Sequence, residues 1–310
     1  MPLSLRRGRV SAVRERVEGL VRLEVDGADC VAYPSLTGPV AFDDEVLVNV
    51  QARELQLGSG GFDVLYANLT RGVGLEREAG AHVMVLPYTP LQHARRFAEE
   101  AAAPPARLDG MPVVCCSLHS QVAPVCAALA GLRVAYVQLA GGALPVSLSD
   151  TLRVLRRRGL AAAAAAIAPC FDGDVQCASV ASALGWASAE HDVAVCAIGP
   201  GIVGTGTRFG HGGLAAAEAA NAALALGGRP VVTARVSGAD RRERHRGTSH
   251  HTEAVLALVL GDVVLGEDGA GWREACAGLP LSHMGRGPDA DPDFFEAAFA
   301  AGVAARELLA

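Results

Sequence analysis

Lysine is absent from this chain: all 27 of its basic side chains are arginines. Without lysine the chain cannot form a Schiff base with a carbonyl substrate or with pyridoxal phosphate. It also cannot supply the lysine of a phosphate-binding P-loop. Any clamp for an anionic group must therefore use arginine side chains or backbone N–H groups.

Other features that would define a functional class are also missing. None of the eight cysteines forms a Cys-x-x-Cys pair, and most lie in apolar runs, which favours free thiols in a reducing compartment. The longest apolar stretch, residues 214–226, is interrupted by Glu218 and Asn221, so we expect no membrane span. The first ten residues lack the apolar core of a signal peptide. We therefore expect a cytoplasmic protein.

The distribution of charge argues against two kinds of partner. The net charge is −6, and the first 80 residues contain nine arginines against twelve acidic residues. Because no basic face emerges, we expect neither nucleic-acid binding nor a polybasic membrane contact.

Residues 1–78 have the pattern of a small β domain. Short β-forming segments recur from residue 8 to about residue 75, and two of them flank an Asp26-Gly27 turn, which is a hairpin signal. We predict a β-barrel-like domain of the oligonucleotide/oligosaccharide-binding or SH3 kind. A docking or dimerisation role is favoured over ligand binding, so we expect a homo-oligomer, most simply a dimer.

Residues 79–310 alternate between apolar strands and helices. The predicted strands cover residues 113–116, 134–139, 162–168, 193–198 and 231–236. Each is short, largely apolar and followed by a helical stretch, as in parallel strands buried on both faces. We predict a Rossmann-like, doubly wound, mostly parallel α/β sheet of five or six strands. Asp291 and Pro292 predict the start of a last helix.

A glycine-rich loop, residues 199–213, follows the fourth predicted strand. Its Gly-x-Gly-x-x-Gly match is a poor dinucleotide fingerprint, because the helix starts too late and the acidic residue is too far away. Converging backbone N–H groups, hydroxyls and an arginine instead predict an anion site. The predicted ligand-binding residues are Gly201, Gly204, Thr205, Gly206, Thr207 and Arg208. The alternative is a purely structural glycine loop.

A second group of polar residues follows the fifth predicted strand, between residues 240 and 252. We predict that Arg244, Arg246, Ser249 and His251 bind the ligand, and that His245 and His250 are catalytic together with His119 after the first strand. Thr248 or Ser249 should cap a helix whose first turn holds His250 and His251. Solvated arginines and capping histidines are the alternative.

Two further chemistries have weaker support. A metal site would join two histidines to Asp172 or Asp240, and the candidate histidines are His119, His211, His245, His250 and His251. No His-Glu-x-x-His spacing supports this site, so we expect no metal. A nucleophile could be Ser117 or Cys116 with His119 nearby, but no Gly-x-Ser-x-Gly motif is present.

Three separated stretches together resemble one family. Residues 82–92, the loop 199–206, and residues 243–247 with 249–252 are similar to the bacterial domain-of-unknown-function family 3866. The resemblance covers essentially the whole chain. It implies a prokaryotic cytoplasmic protein and a shared site formed by these stretches, but it supplies no activity, cofactor or catalytic residue.

The leading hypothesis is a small-molecule enzyme that acts on an anionic substrate, such as a nucleotide or a phosphorylated metabolite. The first alternative is a non-catalytic ligand-binding or assembly protein with a structural glycine loop. The second alternative is a metal-dependent hydrolase. The sequence identifies no cofactor.

Overall fold

A computed structural model describes residues 3–56, 61–72 and 74–310. The chain forms two compact units, Met1–Arg95 and Arg96–Ala310. The sequence predicts two domains, residues 1–78 and 79–310. That these two segments fold independently stays a prediction. Among the residues that the structure describes, no helix has the length and apolar composition needed to cross a bilayer.

The first unit contains a closed barrel of five strands, as predicted. Its elements are β1 (Leu5–Val17), β2 (Leu20–Val25), β3 (Ala28–Ala32), α1 (Pro34–Thr37), β4 (Glu45–Asn49), α2 (Gln51–Glu54), β5 (Asp63–Asn68), β6 (Val83–Val85) and β7 (His93–Arg95). The barrel order is β1-β2-β3-β5-β4, and β4 pairs back onto β1. β3 and β5 run parallel, and β6 and β7 form a separate hairpin.

Local sequence explains the β2–β3 hairpin of the barrel. Asp26 and Gly27 both have positive φ angles, 50° and 79°, as a type I′ turn requires. The alternating apolar residues of the strands point into the barrel, where Val46, Val48 and Leu65 are among its buried core. The barrel therefore closes over its own apolar side chains.

The second unit is a seven-stranded, wholly parallel sheet between two layers of helices. The β-strands of the second unit, inside and outside this sheet, are β8 (Pro112–Cys116), β9 (Val134–Leu139), β10 (Ala163–Ile167), β11 (Val175–Cys177), β12 (Val193–Ile198), β13 (Arg229–Thr233), β14 (Val236–Ser237), β15 (Gly247–Thr248) and β16 (Val264–Leu265). The sheet order is β11-β10-β9-β12-β8-β13-β16, and β14 and β15 form a small antiparallel pair outside it. The Rossmann-like α/β prediction is confirmed, with one strand more than the upper expectation.

Helices cover both faces of this sheet. They are α3 (Ala98–Ala101), α4 (Val122–Ala128), α5 (Asp150–Arg157), α6 (Val180–Glu190), α7 (Ala215–Ala225), α8 (His250–Leu256), α9 (Trp272–Ala275) and α10 (Pro292–Glu307). Residues of α4, α5, α9 and α10 share one apolar core, and residues of α6, α7 and α8 belong to the other. The alanine run lies in β10, where small side chains let the helices approach closely.

The connections of two neighbouring strands diverge at the carboxyl ends of those strands. β8 and β13 lie side by side, but the chain leaves β8 toward β9 and leaves β13 toward β16, in opposite directions. Points where such connections diverge bind ligands in open α/β sheets. The loops that follow β8, β12 and β13 lie at this edge of the sheet.

The structure corrects two predictions, the end of the fifth strand and the helix-capping role of Asp291. The strand expected over residues 231–236 ends at Thr233, because the backbone N–H of Arg235 donates to Thr252 Oγ1 at 2.8 Å and its carbonyl accepts from Ser249. Asp291 precedes α10 as predicted, but its carboxylate binds Ser237 and Arg286 instead of capping that helix.

Candidate histidine and arginine site

The end of the glycine loop and the segment after β13 meet beyond the end of β8. Gly213 lies so close to Ser117 that a Cβ on the glycine would stand 2.9 Å from the serine carbonyl oxygen. Ser249 is the N-cap of α8, and its Oγ accepts from the His251 N–H at 3.2 Å. This cap places His250 and His251 in the first turn of α8, as the sequence predicts.

Four histidines from these two segments form one cluster, here called the histidine cluster. His211 stacks on His251 with ring centroids 3.7 Å apart and planes at 15°. The centroids of His245 lie 4.8 Å from those of His250 and 4.9 Å from those of His251. The His250 and His251 centroids are 4.5 Å apart. The predicted catalytic residues His245 and His250 therefore touch the predicted ligand residue His251.

The rings of the histidine cluster are neutral at physiological pH. Burial, reinforced by the Arg235 charge, lowers the pKa of His245 to about 3. Burial and the neighbouring His211 lower the pKa of His251 to about 2. Burial also lowers the pKa of His211 and of His250. Each ring thus keeps one nitrogen lone pair, which can accept a hydrogen bond or bind a metal ion.

Arg235 lies beside this cluster and is itself buried. Its NH1 group donates to Nδ1 of His251 at 3.1 Å, and its NH2 group lies 3.5 Å from a carboxylate oxygen of Asp240. Burial lowers the pKa of Arg235 only to about 10, so the guanidinium stays charged. A buried cation therefore borders four uncharged imidazoles.

The charges around Arg235 do not cancel. Asp240 also pairs with Arg242 at 2.8 Å and with Arg286 at 3.5 Å, and Asp291 pairs with Arg286 at 2.9 Å. Hydrogen bonds from Arg242 hold the pKa of Asp240 well below its usual value against the effect of burial, so this carboxylate is ionised. Asp240 is 2% exposed and Asp291 is 0% exposed. Three guanidinium groups thus face two carboxylates, and the network keeps one positive charge.

Several buried polar atoms of the site have no hydrogen-bond partner among the described residues. They are both ring nitrogens of His211, Nε2 of His250, Nε2 of His283 and Nε of Arg235. Native interiors satisfy most buried polar atoms, and each exception carries a free-energy cost of about 1–3 kcal/mol. Three of these side chains, His211, His250 and Arg235, belong to the histidine cluster or border it.

The central part of the glycine loop forms a small solvent-exposed hairpin. Gly204 pairs with His211, and the Thr205 N–H donates to the Gly210 carbonyl at 2.6 Å. The Thr205 and Thr207 hydroxyls bond to each other at 2.8 Å, and the Arg208 guanidinium lies over the Phe209 ring at 5.1 Å. Gly201 and Gly206 are also exposed. Among these residues the structure brings only the His211 end of the hairpin to the histidine cluster.

Other glycines of this loop allow two backbones to approach each other. A Cβ on Gly212 would stand 1.9 Å from the Gly141 carbonyl oxygen, and a Cβ on Gly199 would stand 2.0 Å from the Ala143 carbonyl oxygen. Gly142 is equally crowded by Gly199. These glycines let the loop after β9 pack closely against the glycine-rich loop after β12. Such packing is what the alternative prediction, a purely structural glycine loop, expects for part of that loop.

The remaining candidates lie apart from the cluster or at its rim. His119 bonds to Ser149 Oγ at 2.7 Å and to the Ile198 carbonyl at 3.3 Å, and burial lowers its pKa to about 4. Arg244 and Arg246 are exposed. Burial, and after it the positive charge of Arg244, lowers the pKa of His250.

The nucleophile candidates are embedded in the sheet. Cys116 Sγ lies 3.5 Å from Thr233 Oγ1, and burial raises the pKa of this thiol to about 12, so it is not a thiolate. Ser117 is buried beside Gln121.

Sequence reasoning missed Arg235 as a member of the site. A charged residue at the end of an apolar strand was the available signal, because such a side chain needs a buried partner. Asp240 was considered only as a metal ligand, whereas the structure shows it binding arginines.

The fold and the site together define a two-unit protein, with a barrel followed by a Rossmann-like unit that carries a histidine and arginine site. Residues 29–267 match the family described as "Protein of unknown function (DUF3866)", and the chain belongs to this family. The matched segment contains Arg235 and the whole histidine cluster. No curated protein matches the chain.

Proposed function

We propose that this protein is an enzyme that acts on a small anionic molecule, which Arg235 binds beside the histidine cluster. The observation that carries the proposal is the Nε atom of Arg235, a buried donor that has no acceptor among the described residues. A guanidinium presents its donors in a planar fork that matches carboxylate and phosphate oxygens. An anionic oxygen at this position would satisfy the orphaned N–H.

The local charge supports an anion over a neutral ligand. The network of Arg235, Arg242 and Arg286 with Asp240 and Asp291 keeps one positive charge, and the histidines add none at neutral pH. An anion would neutralise this excess in surroundings where charges are weakly screened. The exposed Arg244 and Arg246 lie in the same segment and would attract the ligand toward the site.

Differences in burial, pKa and hydrogen-bond partners lead us to propose different roles for the histidines. A base with a pKa near 2 or 3 binds a proton weakly at neutral pH, so we assign His245 and His251 to hydrogen bonding or ligation. His250 is only partly buried and its Nε2 has no partner among the described residues, so we assign this ring to direct contact with the bound ligand. His119, with both ring nitrogens engaged, is assigned to holding the loops together.

Anion binding by variants of the full chain tests the proposal. Inorganic phosphate, a nucleoside monophosphate and a dicarboxylate are titrated into the wild type, and affinity is measured by calorimetry and by the shift in melting temperature. Arg235→Gln should weaken the binding of at least one of these probes by tenfold or more, because a hydrogen bond to a charged group contributes about 1.5–3 kcal/mol. Turnover of the bound class of compound is then assayed.

Arg208→Ala is the matched control, since Arg208 lies on the exposed hairpin against Phe209. It should bind the probes as the wild type does. If Arg208→Ala loses binding while Arg235→Gln keeps it, the anion site lies on the glycine hairpin and the proposal is wrong. Binding without turnover of any related compound would favour the non-catalytic alternative.

A further inference from the structure

Three rings of the histidine cluster lie close enough together to share one metal ion. One nitrogen from each of His245, His250 and His251 lies within 4.8 Å of the other two. The ring centroids are 4.5, 4.8 and 4.9 Å apart. Imidazoles that bind a tetrahedral zinc ion through nitrogens at about 2.0–2.1 Å have centroids roughly 5 Å apart. From this geometry we infer that His245, His250 and His251 bind a divalent transition-metal ion of the zinc type.

The surroundings of two of these rings fit the role of ligands. Nε2 of His250 is buried and has no partner among the described residues, so its lone pair is free for an ion. Nδ1 of His245 bonds to Ser249 Oγ at 2.7 Å, which orients that ring and leaves Nε2 for the ion. Such a hydrogen bond on the far nitrogen is the usual support for a metal-bound histidine.

The third ring links the metal ion to the proposed anion site. Nδ1 of His251 accepts a hydrogen bond from Arg235, so the lone pair of the neutral ring is already used. An ion that binds this nitrogen replaces that hydrogen bond, and the guanidinium keeps its contact with Asp240. The released N–H group would then face an anion bound next to the ion.

We assign His211 a position beside the metal ion but not among the residues that bind it. Its ring is stacked almost parallel to that of His251, so the in-plane lone pairs of the two rings do not converge on one point. Three protein ligands leave a fourth tetrahedral position for water, the arrangement of catalytic zinc sites. A ring nitrogen of His211 that has no partner among the described residues is available to bond that water.

Metal binding by the full chain tests this inference, which goes beyond the proposed function. The purified protein is stripped with a chelator and titrated with cobalt(II), whose visible absorption reports four-coordination, and zinc affinity is measured by competition. One ion per chain is expected. His250→Ala should weaken binding by at least about tenfold. His191→Ala is the matched control, because His191 packs on Trp186 away from the cluster, and it should bind like the wild type.

His245→Ala provides a second variant, and circular dichroism confirms that each variant is folded. Absence of stoichiometric binding to the wild type overturns the inference, as does equal affinity of wild type, His245→Ala and His250→Ala. Phosphate binding is measured in parallel on chelator-treated protein. Metal binding without anion binding rejects the proposed function alone, and anion binding without metal binding rejects this inference alone.

Discussion

The guanidinium of Arg235 donates a hydrogen bond to Nδ1 of His251 across 3.1 Å, and both side chains are buried. Because arginine keeps its protons, Nδ1 must be the acceptor, and the neutral His251 ring then carries its proton on Nε2. The arginine therefore occupies the lone pair that a metal ion would need, while its own Nε has no acceptor in the part of the chain that the structure describes. The Arg235 side chain therefore disfavours a bound cation and favours a bound anion at the same place beside His251.

Arg235→Gln should accordingly change the two affinities in opposite directions. Zinc should bind roughly tenfold or more tightly, because two unit charges about 4 Å apart repel by about 4 kcal/mol at an effective dielectric constant of about 20. Phosphate should bind more weakly. Competition titration measures the first effect and calorimetry the second, with Arg208→Ala as the control. A change of both affinities in the same direction would contradict the assignment.

His211→Ala should separate a three-histidine site from a four-histidine site. If His211 lies beside the ion without binding it, zinc affinity should fall less than about threefold, against at least about tenfold for His250→Ala. The cobalt(II) absorption spectrum of His211→Ala should keep its four-coordinate shape. An affinity loss as large as that of His250→Ala would make His211 a ligand.

Gly212→Ala should destabilise the second unit. The new methyl group would meet the Gly141 carbonyl oxygen at 1.9 Å, so two loops must separate, and such overpacking costs about 1–3 kcal/mol or more. Gly206→Ala is the control from the same loop, because nothing lies within 4 Å of its Cβ position, and it should stay within about 0.5 kcal/mol of the wild type. Denaturant unfolding followed by the fluorescence of the buried Trp272 measures both. Equal stabilities would refute the structural role of Gly212.

Local signals in the sequence were sufficient to predict several elements of the site. Ser249 as a cap and His250 as the first helical residue follow from side-chain hydrogen bonding at helix ends, which needs only neighbouring residues. The buried strands were recognisable because parallel strands covered on both faces are apolar throughout. These features depend on short stretches of chain, and they were predicted correctly.

Features set by distant segments were not predictable. The insertion of β12 between β8 and β9 depends on how helices pack on both faces of the sheet. Arg235 is buried because Asp240, and beyond it Arg286 and Asp291, form a charge network around it. The sequence places these residues up to 56 positions apart, and nothing local indicates that they meet.

His119→Gln should lower stability without removing metal binding. His119 connects Ser149 to the Ile198 carbonyl, and the loss of buried hydrogen-bond partners costs about 1–3 kcal/mol. Cobalt(II) stoichiometry and phosphate affinity should match the wild type at temperatures where the variant is folded. His191→Gln, which loses one bond to the Ala187 carbonyl, should cost less. A His119→Gln variant of normal stability that no longer bound phosphate would place His119 in the site.

Asp44→Asn should destabilise the barrel in a way that depends on pH. The buried Asp44 carboxylate accepts hydrogen bonds from Arg71 at 2.7 Å, Asn68 at 2.9 Å and the Ala41 N–H at 2.7 Å. Burial alone would raise the pKa of Asp44, but these hydrogen bonds outweigh it and lower the pKa below its usual value. The stability that this carboxylate contributes is therefore present above the ordinary pKa of an aspartate, and it is lost as the pH falls through the lowered value.

Hydrogen exchange of β4 and β5 amides in the full chain measures this effect, because both tryptophans, Trp186 and Trp272, lie in the second unit. Near pH 7 the Asp44→Asn variant should lose about 2 kcal/mol of protection, since charged hydrogen bonds become neutral ones. The deficit should shrink as the pH is lowered, because the wild-type carboxylate then becomes protonated. Asp43→Asn is the control, as Asp43 is exposed beside Arg9. A deficit that grew toward acid pH would contradict the hydrogen-bonded, ionised state of Asp44.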